Sequence, residues 1–227
     1  MISRNLAQVR EKIAKAAERA GRNPKDITLV SVTKQATVDQ VREAVSSGIT
    51  DIGENRVNDG LLKYEKLGAV SQGLRWHMIG HLQTNKVRKA LDIFDTIHSL
   101  DSLHLAEEID NRAKAISKRV DCFIEVSVSG EASKYGIEPK DAEQFIVKVS
   151  SLSNIHIIGL MTMAPFVDDA EITRPYFAKL RQLRDNLRSQ NIPNTAIREL
   201  SMGMTQDFEV AIEEGATVVR IGSAIFK

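Results

Sequence analysis

The apolar positions of this chain change their period within the first thirty-odd residues. From Ile2 to Ala20, the residues Leu6, Val9, Ile13, Ala16 and Ala20 recur at spacings of three and four, one face of an amphipathic helix. Gly21 stands where a left-handed residue closes a helix, and Pro24 follows shortly after. The pattern then turns to short, β-branched apolar runs that read as buried strands. They fall at 28–33 (TLVSVT), 50–53, 75–80 (RWHMIG), 93–99 (IFDTIHS), 121–128 (DCFIEVSV), 156–161 (HIIGLM), 197–201 (IRELS) and 217–222 (TVVRIG). Helical periodicity lies between them, at about 38–47, 56–67, 84–91, 102–118, 140–151, 172–190 and 206–214. Thr37 and Gln40 have capping-box spacing, Asp101 suits an N-cap, and Pro139 and Pro175 suit first turns. Gly48, Gly68 and Gly215 suit helix ends.

Strands alternating with helices predict a parallel sheet covered by helices. Eight such repeats in a chain of this length predict a single (β/α)8 barrel, an α/β fold, with an extra N-terminal helix. That helix is expected to stand in for the eighth helix, which the pattern lacks. A doubly wound open sheet is the rival, but its first βα turn is usually glycine-rich, whereas here it reads Thr33-Lys34-Gln35-Ala36. No linker, low-complexity tract or repeat divides the sequence, so one domain over 1–227 is expected.

Composition narrows the function classes. Lys+Arg is 31 and Asp+Glu is 30, a balance that argues against nucleic-acid binding by counterion release. No apolar run is long enough to span a bilayer, and the charged N-terminus lacks the apolar core of a secretory signal. The one cysteine, Cys122, cannot form an internal disulfide. A cytoplasmic protein is expected.

In a βα barrel, chemistry gathers at the C-terminal ends of the strands. Lys34 directly follows the first strand, where a neutral amine could attack an aldehyde or where the side chain could simply snorkel. Glu54 and Asn55 follow the second strand; Glu54 could hold a cation, and Asn55 could face a ligand or cap the next helix. His77 and His81 are four apart in a strand context that does not suit a zinc set, so His77 reads as structural. The loop after strand five carries Lys134 and Tyr135, and reads as a polar surface loop. Met161 and Met163 read as filler of the core or of a pocket. Strands seven and eight end in Ser201-Met202-Gly203 and Gly222-Ser223-Ala224, small residues with hydroxyls and amides at the fold's frequent phosphate site. Arg220, inside strand eight, needs an acceptor: a carboxylate such as Glu54 or Glu199, or a ligand heteroatom. A lysine, a phosphate cup and an arginine suit a phosphorylated aldehyde. Pyridoxal 5′-phosphate and a sugar-phosphate aldehyde both satisfy that description.

The segments LVSVTK (29–34), IGENRV (52–57), WHMIGHLQTNK (76–86), GLMTMAP (159–165) and ELSMGMTQDFEVAIEEGATVVRIGSAIF (199–226) resemble the pyridoxal phosphate homeostasis proteins. That family is similar to the barrel domain of alanine racemase, a fold-type III barrel, but without its second β domain. The resemblance implies that Lys34 carries the cofactor as a Schiff base. It implies that Ser201, Gly222 and Ser223 hold the phosphate with the backbone around Met202, that Arg220 faces the pyridine nitrogen, and that Asn55 lies near the ring hydroxyl or the Schiff base. It also implies a carrier or buffer of pyridoxal phosphate, with apo-enzymes or a regulatory protein as possible partners and a monomer or weak homodimer as the state. His81 departs from the family, which usually has proline there. A racemase is the alternative; only five residues follow Gly222, and Tyr135 is its one candidate acid.

Overall fold

The computed structural model describes residues 1–129 and 135–227. Eight parallel strands close into a barrel in chain order: β1 (Thr28–Val32), β2 (Asp51–Glu54), β3 (Arg75–Met78), β4 (Thr96–Leu100), β5 (Val120–Glu125), β6 (Ile155–Met161), β7 (Thr195–Ser201) and β8 (Val218–Ile221). The helices are α1 (Ile2–Arg19), α2 (Val38–Ser46), α3 (Val57–Leu67), α4 (Val87–Ala90), α5 (Leu103–Ala115), α6 (Ala142–Val149), α7 (Arg174–Ser189), α8 (Phe208–Glu213) and α9 (Ser223–Phe226). The barrel expectation therefore holds, and the open sheet is excluded by the pairing of β1 with β8.

Local chemistry sets the element ends. Gly21 (φ 65°) closes α1, with Arg22 N donating to Ala17 O at 2.8 Å and Gly21 N to Glu18 O at 3.0 Å, the Schellman pair. Thr37 and Gln40 form the reciprocal capping box of α2. Asp101 is not the cap of α5: Ser102 Oγ accepts from Leu105 N at 3.3 Å, and Asp101 turns to His81 instead. Ile93 and Phe94, expected to open strand four, are buried in the turn after α4, so the strand begins at Thr96. Apolar burial alone does not distinguish a buried turn from a strand.

The core has two layers. The larger lies between the strands and the helices and takes in Trp76, Phe94, Ile97 and Leu105. The smaller is inside the barrel and joins Val30, Ile79, Phe123, Met161 and Val218. Helix α1 buries Ile2, Leu6, Val9, Ile13, Ala16 and Ala17 against the barrel's outer layer, which is why its stripe exists. It packs on α8, α9 and α2. Asn5 Nδ2 donates to Ile225 O and Lys227 O, tying α1 to the chain's last turn. The expected substitution of α1 for an eighth helix is thus shared with the four-residue α9.

Candidate functional site

Strand order brings the predicted residues to one sector of the barrel mouth. Strands β7, β8 and β1 are neighbours, and Val30 pairs with Arg220 across β1 and β8. Lys34 lies two residues beyond β1, exposed, in a turn that Ala36 N closes on Thr33 O at 2.9 Å. A Cβ on Gly222 would lie 2.9 Å from Val32 O, so the β8 loop packs directly on the strand that delivers Lys34. Ser223, exposed, donates to Thr205 Oγ1 at 3.1 Å, which ties the β8 loop to the β7 loop.

The wall beneath the Lys34 turn holds a buried ion pair. Lys63 Nζ donates to Glu54 Oε1 at 2.6 Å and to Thr33 O, and Thr33 Oγ1 also donates to Glu54. Glu54 therefore pairs with Lys63, not with Arg220. Asn55 does not cap α3, because Arg56 is its N-cap residue. Its exposed side chain is left to face solvent or a ligand, and its backbone packs against Gly80, where a Cβ would come within 2.4 Å of Asn55 O.

Arg220 is the organising charge. It is 5% exposed, with Nη1 donating to Ser201 Oγ at 2.6 Å and Nη2 to Thr162 O at 2.9 Å. No carboxylate is in ion-pair contact with it among the described residues. Burial pushes its pKa down to about 10, against the opposing pull of Glu125 and Asp207. Five N–H donors with two acceptors leave donors for a third partner. An unprotonated ring nitrogen meets that need, so the residues present fit pyridoxal phosphate.

Ser201 and Met202 have engagements that sequence did not reveal. The Ser201 hydroxyl is fully buried between Arg220 and His98, and Met202 N donates to Val218 O at 3.1 Å. An anion at this end would meet the backbone from Gly203 onward, together with Gly222 and Ser223. Gly203 has φ 92°, and a Cβ there would come within 2.6 Å of Ala211 Cβ, so glycine is required twice over.

His77 and His81 part company. His77 bonds to Asp51 and His98 inside the barrel, whereas the His81 ring stacks on Tyr135 with centroids 3.8 Å apart and 12° between planes. His81 Nδ1 also faces Asp101 at 3.5 Å. The Tyr135 side of the β5 loop is thus anchored to the β3 loop, while Lys134 lies outside the described residues. Met161 fills the inner core as expected; Met163 is 40% exposed.

Sequence reasoning missed Asp51, Lys63, His98, Glu125 and Thr162. Four of these five are polar groups in or directly after apolar strands. Glu125 ends β5 two residues after Phe123, hence on the inner face, and burial followed by the nearby Asp101 charge raises its pKa to about 7. Period-two alternation was the available signal: the polar residue that shares a face with an inner apolar one points into the barrel.

A family model described as alanine racemase, N-terminal domain, matches residues 4–227. The pyridoxal phosphate homeostasis protein of Aquifex aeolicus is 46% identical over 221 residues, covering 97% of this chain and 95% of that one. This chain belongs to the pyridoxal phosphate homeostasis protein family. Among solved structures of similar fold, PipY of Synechococcus elongatus PCC7942 with pyridoxal phosphate bound has a TM-score of 0.88 and 34% identity, with all of both chains covered. A protein of unknown function from Bifidobacterium adolescentis has a TM-score of 0.94 and 39% identity, covering 99% of this chain and 94% of that one. Both resemblances run through the whole barrel, including the β7, β8 and β1 sector where the family's motifs fall.

Proposed function

We propose that this protein is a cytoplasmic pyridoxal 5′-phosphate carrier, one barrel over residues 1–227, that buffers the free aldehyde and passes it to apo-enzymes. The observation that carries the reading is Arg220: a buried guanidinium, held by Ser201 and Thr162 and, among the described residues, not paired with a carboxylate, on the strand beside the one that delivers Lys34. Pyridoxal phosphate, when bound, supplies a reactive aldehyde and an electron-accepting ring. Lys34 would hold it through its amine, Gly222 and Ser223 with the Gly203 backbone would hold the phosphate, and Asn55 would meet the ring hydroxyl. Arg220 would donate to the ring nitrogen. Because a guanidinium does not give up its proton, the nitrogen stays unprotonated and the ring is a weak electron sink. That favours holding over carbanion chemistry.

Tyr135 is the one candidate acid for a racemase. It is 57% exposed and stacks on His81. That exposed, stacked placement supports the carrier reading over a racemase. No helix among the described residues is long and apolar enough to cross a membrane.

The test is a titration of the purified protein with pyridoxal phosphate, followed in the visible, with Lys34→Ala beside it. Wild type should gain a band that borohydride removes, and Lys34→Ala should not. Neither protein changing the spectrum of the free aldehyde would refute the reading. An amino-acid racemisation assay on the loaded protein separates carrier from enzyme, and steady turnover would overturn the carrier.

A further inference from the structure

The hydrogen bonds that begin at Arg220 run on through the barrel. Ser201 Oγ lies 2.6 Å from Arg220 Nη1 and 2.8 Å from His98 Nδ1. His98 Nε2 lies 2.9 Å from His77 Nδ1, and His77 Nε2 lies 3.0 Å from Asp51 Oδ1. All five residues are buried, none more than 5% exposed. The Asp51 end reaches a cavity of about 450 Å³ at the opposite face of the barrel, lined also by Arg10, Lys25 and Arg75.

The direction of this chain is fixed by chemistry. Arginine has only donors, and an ionised carboxylate only acceptors. Burial disfavours the Asp51 charge, but the hydrogen bonds from His77 and Thr50 and the Arg75 guanidinium 3.3 Å away favour it, and the carboxyl lies below its ordinary value. Asp51 therefore takes the His77 Nε2 proton, which leaves Nδ1 bare for the His98 Nε2 proton. His98 Nδ1 is then bare for the Ser201 proton, and Ser201 Oγ is free to accept from Arg220. The opposite direction needs a doubly protonated His77. It would aim two donors at Ser201 and leave its buried hydroxyl proton without an acceptor, a costly arrangement. Burial, with the neighbouring His77 and Arg220, pushes His98 well below the ordinary imidazole value, in keeping with a neutral ring.

We propose that Asp51, His77 and His98 form a one-way hydrogen-bond chain that fixes Ser201 as an acceptor and thereby holds Arg220 in position for the ring nitrogen of pyridoxal phosphate. The histidines are positioning residues. They touch no ligand and act through Ser201. The inference rests on the functional reading above for its ligand, but not for its proton order.

Two measurements test it. The first needs no ligand: two-bond 1H–15N spectra of histidine-labelled protein at pH 7. His77 and His98 should both be Nε2–H tautomers with bare Nδ1. A doubly protonated His77, or an Nδ1–H tautomer at His98, overturns the chain. The second is pyridoxal phosphate titration of wild type, His98→Leu and His98→Gln. Leucine removes the acceptor of the Ser201 proton and should weaken uptake about tenfold or more, the scale of one hydrogen bond to a charged group, and displace the visible band. Glutamine carries one acceptor and one donor, and should restore most of the affinity and the band. A folded His98→Leu protein that binds like wild type overturns the proposal; if leucine does not fold, a glutamine variant with the wild-type tautomer at His77 but tenfold weaker binding does so. A wild type that takes up no pyridoxal phosphate refutes the functional reading, whereas the tautomers fail or hold independently of it.

Discussion

Replacing Glu125 by glutamine should make this protein more stable at alkaline pH and leave it unchanged in acid. Glu125 ends β5, is 5% exposed, and holds its proton up to about 7 because burial and then the nearby Asp101 charge disfavour the carboxylate, with Arg220 only partly compensating. In the unfolded chain the same group ionises near the ordinary glutamate value of 4.5. Between those two values the folded protein keeps a proton that the unfolded chain has released, so stability falls as pH rises. The contribution is fully present below the unfolded value and lost as pH passes through about 7. The interval corresponds to about 3 kcal/mol at most. Glutamine has the same shape and no charge to bury. The variant should match wild type near pH 4 and exceed it by up to about 3 kcal/mol at pH 8.5, or about 6–12 °C in Tm for a chain of this size. Thermal melts of both ligand-free proteins across that range, followed by circular dichroism, give the difference directly. Parallel curves, or a difference that grows toward acid, would refute the reasoning.

Other consequences follow from single contacts. Lys63→Met should cost about 3–5 kcal/mol in chemical denaturation, because it leaves the Glu54 carboxylate, 0% exposed, without its cation; a loss under about 1 kcal/mol would contradict a buried, stability-bearing pair. Gly159→Ala places a Cβ 2.1 Å from Glu199 O, so β6 and β7 must separate. It should give little soluble protein or lower Tm by well over 5 °C, a severe case among point substitutions; a wild-type melt would contradict the register. Thr37→Ala removes one half of a capping box and should cost about 1 kcal/mol in urea unfolding, with no change in pyridoxal phosphate uptake.

Fold was legible because period and punctuation agree along most of the chain. The alternation of helical and apolar runs sufficed for the barrel, and Gly21, Thr37 and Gln40 marked their element ends correctly. Errors came where one residue type has two uses. Asp101 has the chemistry of a cap but faces His81, and its neighbour Ser102 caps instead. For Asn55 the sequence left a cap and a ligand contact both open, and Arg56 at the N-cap position removes the first. The candidate site was legible as far as single strand ends allow: Lys34, Arg220, Gly222 and Ser223 lie on or directly after neighbouring strands because β8 closes on β1. What a linear reading could not supply is pairing across the barrel. Ser201 reads as a loop hydroxyl until His98, 103 positions earlier in the chain, is found 2.8 Å from it. Likewise Arg220 called for an acceptor, a carboxylate or a ligand heteroatom, and its acceptors within the protein are a hydroxyl and the Thr162 carbonyl.

The central claim is that Lys34 is the amine that holds pyridoxal phosphate. The most direct measurement is to load the wild-type protein with pyridoxal phosphate, reduce with borohydride, digest, and locate the modified lysine by mass spectrometry. The account predicts one dominant adduct, on Lys34, at close to one per chain. An adduct on Lys63 or Lys134 instead, or label scattered over surface lysines in proportion to their exposure, would contradict it.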